Sequence, residues 1–221
     1  MKVILYGATG MVGQGVLREC LLAPDVSEVL AVGRGAPAQK HDKLRELVLK
    51  DLLDYSGVES QLAGYDACFW CLGVSSVGMA EADYRRITLD YTVAAARALA
   101  KQNPNMKFVF ISGANTDPKG KAMWARVKGE AEIAVLEQFA NGYAFRPAFI
   151  RPLHGITSRT RSYRILYAIL SPLVPVLMRM FPRHTATTEQ VGRAMLEAAR
   201  RGAPKRILES EDIVTLARRG T

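Results

Sequence analysis

Lys2-Val3-Ile4-Leu5-Tyr6-Gly7-Ala8-Thr9-Gly10-Met11-Val12-Gly13-Gln14-Gly15 is the stretch that decides the fold. Lys2–Tyr6 is a short apolar run with β character, and Val16–Leu22, just past the glycines, has helical spacing. The stretch therefore predicts strand, glycine turn, helix. Gly7 permits a tight turn off the strand, Gly10 lets backbone amides approach a pyrophosphate, and Gly13 lets the helix pack closely on the sheet. The spacing is G-x-x-G-x-x-G, and a plain strand-to-helix turn would share it. A strand before and a helix after are the context that favours dinucleotide binding.

Working outward, Val29–Val32 reads as a second strand, Leu47–Leu49 as a third and Ala67–Leu72 as a buried fourth. A long helix over Ala82–Gln102 follows. Lys107–Ser112 reads as a fifth strand, Lys121–Phe139 as a helix and Tyr143–Arg146 as a sixth strand. Thr187–Arg201 then reads as a helix and Arg206–Leu208 as a last strand. Alternating strands and helices imply a doubly wound parallel α/β sheet with helices on both faces, whose ligands bind beyond the carboxyl ends of the strands.

The 221 residues fit one domain spanning 1–221, and 49% hydrophobic with 23% charged residues is the composition of a globular core. Three cysteines, Cys20, Cys68 and Cys71, are too few for a disulfide framework, which points to a reducing cytoplasm. Cys68 and Cys71 have C-x-x-C spacing but lie within a strand, where residues three apart face opposite ways, so they read as buried structural thiols.

The net charge of +9 is uneven. Residues 1–150 hold 17 basic and 16 acidic side chains, and residues 151–221 hold 13 and 5. Residues 151–185 form an apolar, basic segment in which 14 uncharged residues, two of them prolines, separate Arg164 from Arg179. That run is too short and broken to cross a bilayer. Its readings, in order, are a packing or homodimer face, a helical lid over an apolar substrate, and a membrane-surface anchor. Nucleic acid ranks last, because the arginines are interleaved with aliphatics and not with stacking aromatics.

After the second strand comes Ala31-Val32-Gly33-Arg34-Gly35. A ribose 2′-hydroxyl meets a carboxylate at this place and a 2′-phosphate needs a cation, so Arg34 favours NADP over NAD. A solvated loop arginine is the plain alternative. After the third strand, Asp51 is placed to accept from the adenine amino group and Leu52 to lie against the ring.

Gly7-Ala8-Thr9-Gly10-Met11-Val12-Gly13, Asp51-Leu52, Cys71-Leu72-Gly73, Ile111-Ser112-Gly113, Val127-Lys128-Gly129-Glu130 and Phe145-Arg146-Pro147 follow in order. Together they resemble the motifs of atypical short-chain dehydrogenase/reductases of the NAD-dependent epimerase/dehydratase type, above all the small NADPH-binding members. The resemblance covers residues 1–150 well and the rest loosely. It implies a Rossmann fold with a helical C-terminal substrate lid. It also implies a cofactor held by Gly7, Thr9, Gly10, Met11, Val12, Arg34, Asp51, Leu52, Leu72, Gly73, Lys128 and Pro147, with no metal.

The resemblance also implies a Ser that polarises a carbonyl and a Tyr-x-x-x-Lys in which Tyr moves the proton while Lys holds the ribose. Ser112 and Lys128 match, but the residue four before Lys128 is Trp124. The i, i+4 spacing puts Trp124 on the same helix face as Lys128, where a phenol is expected. An indole N–H donates a hydrogen bond but cannot deliver its proton near neutral pH. Substitute donors are Tyr84, Tyr91, His154, Tyr163 and Tyr167, with His154 preferred because its loop follows Arg146-Pro147. The tyrosines at helical spacing read as packing residues. Two functions survive: an NADPH-dependent oxidoreductase acting on an apolar small molecule, and a non-catalytic dinucleotide-binding regulatory or interaction protein.

Overall fold

A computed structural model of the chain describes residues 1–156 and 185–220. Seven strands form one parallel sheet: β1 (Lys2–Tyr6), β2 (Glu28–Gly33), β3 (Leu44–Val48), β4 (Ala67–Trp70), β5 (Lys107–Ile111), β6 (Gly142–Arg146) and β9 (Ile207–Glu209). Their order is β3-β2-β1-β4-β5-β6-β9. The chain builds outward from β1 in one direction and then from β4 in the other, so strand order reverses between β1 and β4. That crevice is where such sheets take ligands. A second, two-stranded parallel sheet joins β7 (Phe149–Arg151) to β8 (Thr185–Thr187).

The two sheet faces carry separate cores because side chains alternate along each strand. Val3, Leu5, Phe69, Val109 and Phe145 pack with α1 (Met11–Leu22), α5 (Thr188–Arg201) and α6 (Ser210–Ala217). Ile4, Tyr6, Trp70, Phe108 and Phe110 pack with α3 (Tyr91–Gln102) and α4 (Met123–Gln138). The C-x-x-C pair obeys the same alternation: Cys68 lies in the second core, Cys71 against the first, and burial pushes both thiols up, keeping them protonated.

The expected helix over 82–102 forms as α2 (Glu81–Arg85), a π turn (Arg86–Asp90) and α3. Tyr84 and Tyr91 on it are buried, as packing residues. The third strand begins three residues earlier than the apolar pattern suggested. As an edge strand it presents charged residues to solvent, where Arg45 pairs with Glu28 at 2.8 Å and Lys40 with Glu46 at 2.9 Å. The β7–β8 pair and α6 carried no apolar run long enough to be read. Of the 151–185 segment, residues 157–184, with Tyr163 and Tyr167, lie outside the described residues.

Helix α1 is seated by contacts that leave no room for a side chain. Gly7 adopts φ +76°, and a Cβ on Gly13 would stand 2.0 Å from the Gly7 carbonyl oxygen. Farther along, a Cβ on Gly15 would meet Thr188 at 2.5 Å, which brings α5 directly onto α1. Gly13→Ala is expected to lower stability by about 2 kcal/mol or more, since the methyl must push α1 off the end of β1. Gly35→Ala, where an added Cβ meets nothing within 4 Å, is the neutral control. Urea denaturation of the two variants checks this, and equal midpoints contradict it.

Candidate functional site

The N-terminus of α1 has Gly10 as its N-cap, with no side chain closing it. By contrast, α5 closes its own start: Thr187 Oγ1 accepts from the Gln190 amide at 3.1 Å and Gln190 Oε1 accepts from the Thr187 amide at 2.9 Å. The first turn of α1, Met11 and Val12 included, thus leaves amides directed to the sheet's carboxyl edge, where the helix dipole favours an anion.

A recess of about 460 Å³ opens at this edge, lined by Gly7, Ala8 and Thr9 after β1, residues 31–36 from β2 and its following loop, and Leu72 after β4. It occupies the β1/β4 reversal. Arg34 stands exposed on its rim, and no carboxylate lines it. Gly7, Thr9, Arg34 and Leu72, four of the expected cofactor residues, are therefore brought together. The uncapped helix, the absent side chains at Gly7 and Gly13 and the rim guanidinium fit a nicotinamide dinucleotide with its pyrophosphate over Gly10.

Other expected residues are placed differently. Leu52 is completely buried beside Tyr55 and Leu62, so it has no face to offer an adenine ring. Its neighbour Asp51 has one oxygen 3.6 Å from the Arg86 guanidinium and the other accepting from the Leu53 amide. The Asp51-Leu52 pair thus braces the loop after β3 instead of lining the recess. Gly73 lies in open space past β4, and Pro147 accepts from the Ala114 amide at 3.1 Å, pinning the loop after β5 to the end of β6.

Ser112, Trp124 and Lys128 do meet. A Cβ on Gly113 would stand 3.9 Å from Trp124 Cζ3, so the indole covers the chain beside Ser112, as the i, i+4 register required. Lys128 Nζ donates to the Ser112 carbonyl at 3.2 Å and to the Ile111 carbonyl at 3.4 Å, and sits 5.9 Å from the Phe110 ring centroid. Burial pushes its ammonium down to about 8, opposed by the charge of Glu132 one turn on. Glu132 is itself buried and forked by Arg146, with Nε on Oε1 at 2.9 Å and Nη2 on Oε2 at 2.5 Å.

Ser112 Oγ lies 2.9 Å from Thr116 Oγ1, and Thr116 Oγ1 donates to the Gly113 carbonyl at 2.7 Å. The Thr116 proton is thereby used, so Ser112 is the donor of the pair. Neither Thr116 nor Glu132 was expected from the motifs. Glu132 was available as the residue four past Lys128, whereas nothing in the sequence marks Thr116.

His154 is not brought to this group. With φ +57° it sits on the α1 side, in a second recess with Thr9, Gln14 and Arg18, and its Nε2 lies 2.8 Å from Glu189 Oε2 on α5. That hydrogen bond, then the charges of Arg193 and Arg18, hold the Glu189 carboxyl below its usual range. His154 ties the loop after β7 to α5, and the sheet separates that layer from α4.

Comparison with known proteins agrees with this geometry. The rat protein HTATIP2 is 27% identical over 153 residues, covering 67% of this chain and 62% of its own length. The FMP52 protein of Saccharomyces cerevisiae, described as mitochondrial, is 29% identical over 165 residues, covering 73% of this chain and 69% of its own. The chain thus spans less than two thirds of the rat relative. Among solved structures, an oxidoreductase of the short chain dehydrogenase/reductase family from Burkholderia thailandensis superposes with TM-score 0.69 at 17% identity, over 97% of this chain and 92% of that one. UDP-glucuronic acid 4-epimerase from Bacillus cereus, in complex with NAD, gives 0.68 at 12% identity, over 95% and 78%. These two share the fold. The sequence pattern of the NAD dependent epimerase/dehydratase family matches residues 3–145, well over half the chain and all but the outermost residues of the β1–β6 frame that builds the recess. On that match, the chain belongs to the NAD dependent epimerase/dehydratase family, built on a Rossmann fold.

Proposed function

We propose that the protein is an NADP(H)-dependent oxidoreductase that reduces a small, apolar, electron-poor molecule. The observation that carries the cofactor reading is the recess itself: an open helix start on one side, Arg34 on the other, and no carboxylate between them to repel a 2′-phosphate. A bound reduced dinucleotide supplies hydride. Gly10 and the first amides of α1 hold its pyrophosphate, Thr9 and Arg34 its adenosine end, and Lys128 and Pro147 its nicotinamide end. Trp124, with no acidic proton, makes reversible alcohol oxidation a poor reaction, because that direction needs a base for the hydroxyl proton.

Retention of Ser112 and Lys128 around Trp124 favours an enzyme over a binding module. The module reading rests on the missing phenol alone. Three free cysteines, all at least partly buried, suit a reducing compartment such as the cytoplasm. No described helix is long and apolar enough to cross a membrane.

Titration calorimetry is expected to show tighter binding of NADPH than NADH, with Arg34→Ala weakening NADPH by about tenfold to a hundredfold and leaving NADH unchanged, the worth of a charge-assisted phosphate contact. Equal affinities, or an unaltered preference in the variant, contradict the assignment of Arg34.

Trp124→Tyr restores a phenol one turn before Lys128, whose positive charge lowers the phenol's pKa. That variant is expected to gain NADPH-dependent reduction of simple ketones and aldehydes, assayed by loss of NADPH absorbance. Brisk alcohol oxidation by the wild type contradicts the role given to Trp124.

A further inference from the structure

The site poses a problem of proton supply that the described residues solve in one way. Of the four side chains at the end of β5, Trp124 carries no acidic proton at neutral pH. The Thr116 hydroxyl gives its proton to the Gly113 carbonyl at 2.7 Å, and the Ser112 hydroxyl gives its own to Thr116 at 2.9 Å. Ser112 is left with lone pairs. The Lys128 ammonium has three N–H bonds, of which the carbonyls of Ser112 and Ile111 take two, at 3.2 and 3.4 Å. No described residue takes the third.

We propose that Lys128 itself carries the proton of the reaction, its Nζ–H donating directly to the reduced substrate in the place the family gives to tyrosine. This rests on the oxidoreductase reading. The acceptor is a carbonyl or an enone, and the reductant is a reduced nicotinamide dinucleotide. Hydride forms a new C–H bond at the electron-poor carbon, and the π pair moves onto oxygen. That oxygen takes a proton from Nζ, so one N–H breaks and one O–H forms. The acceptor gains two electrons, the nicotinamide ring loses two, and the neutral amine recovers its proton from water.

The surroundings suit the task. Burial lowers the Lys128 ammonium to about 8, close to working pH, where an acid both holds its proton and releases it readily. Glu132 on the next turn of α4 is the charge that opposes this, and Arg146 from β6 holds that carboxylate in place through two hydrogen bonds. Of the other charged groups on elements packed against α4, Arg85 and Glu81 of α2 pair with Glu130 and Arg126, and Arg86 of the π turn with Asp51, while Asp83 of α2, Asp90 of the π turn, and Arg97 and Lys101 of α3 are the remaining charges on those three elements. Phe110 of β5 offers the amine a ring face and no proton.

The test joins a titration of the lysine to a rate profile. Competitive acylation of the free protein with trace acetic anhydride across pH 6–11, read by peptide mass, is expected to give Lys128 a midpoint of about 8 against about 10.4 for exposed lysines. Reduction of 2-cyclohexen-1-one or 1,4-naphthoquinone by NADPH is expected to fall through the same midpoint as pH rises. Lys128→Arg keeps a cation that does not release its proton near neutral pH, so at saturating NADPH it is expected to lose about a hundredfold in kcat and the fall near pH 8.

An ordinary Lys128 midpoint, or a Lys128→Arg enzyme with wild-type kcat and profile, overturns the proposal and leaves the oxidoreductase reading standing. If Lys128→Arg does not fold, the two wild-type midpoints decide: coincidence supports the proposal, and separation by more than one pH unit overturns it. A wild type that binds NADPH but reduces neither acceptor while Lys128 titrates near 8 overturns the oxidoreductase reading, and the proton role falls with it.

Discussion

The contact between the start of α1 and the end of β1 is the constraint on which the rest of the site depends. With Gly13 set against the Gly7 carbonyl, the helix begins directly above the sheet edge, and its unpaired amides point into the β1/β4 crevice. A side chain at Gly13 would displace the helix axis and with it the amides, and one at Gly7 would strike the Cys71 backbone 2.6 Å away, past the end of β4. The same placement continues along α1, where Gly15 admits Thr188 and a Cβ on Gly192 would come within 2.9 Å of the Glu19 side chain. Helix α5 is thereby held close to α1, and its start meets β7 and β8, the strands that flank the undescribed segment.

The opposite half of the cleft is organised by a buried charge. Glu132 joins α4 to β6 through Arg146, while Lys128 joins α4 to β5 through two backbone carbonyls. Removing one partner of such a fork leaves the other charge buried and unpaired, so α4 is fixed in rotation more firmly than apolar packing alone would fix it. Fixing that rotation also fixes Trp124 over Gly113. The indole is therefore held by the same register that holds Lys128.

The frame was legible because its signals are local. Strand, glycines and helix lie consecutively over residues 2–22, and Ser112, Trp124 and Lys128 sit at strand-end and i, i+4 positions that place them without knowledge of distant contacts. Features that depend on distant partners were not legible. His154 is a lone loop histidine until Glu189, 35 residues on, is seen beside it. Asp51-Leu52 as a pair says nothing of which way each faces, and Leu52 faces the core. The start of β3 was hidden because an edge strand exposes charged residues, so the apolar pattern fades before the pairing ends. Thr116 gave no signal, since a hydroxyl partner within a loop has no periodicity.

On the proposed function, one crevice holds a nicotinamide dinucleotide between Arg34 and Lys128. A crystal structure of the NADPH complex tests it most directly. The pyrophosphate is expected over Gly10 and the first turn of α1, the 2′-phosphate within hydrogen-bond distance of the Arg34 guanidinium, and the nicotinamide ribose beside Lys128. A 2′-phosphate in solvent away from Arg34, or a dinucleotide bound outside the β1/β4 crevice, would contradict it.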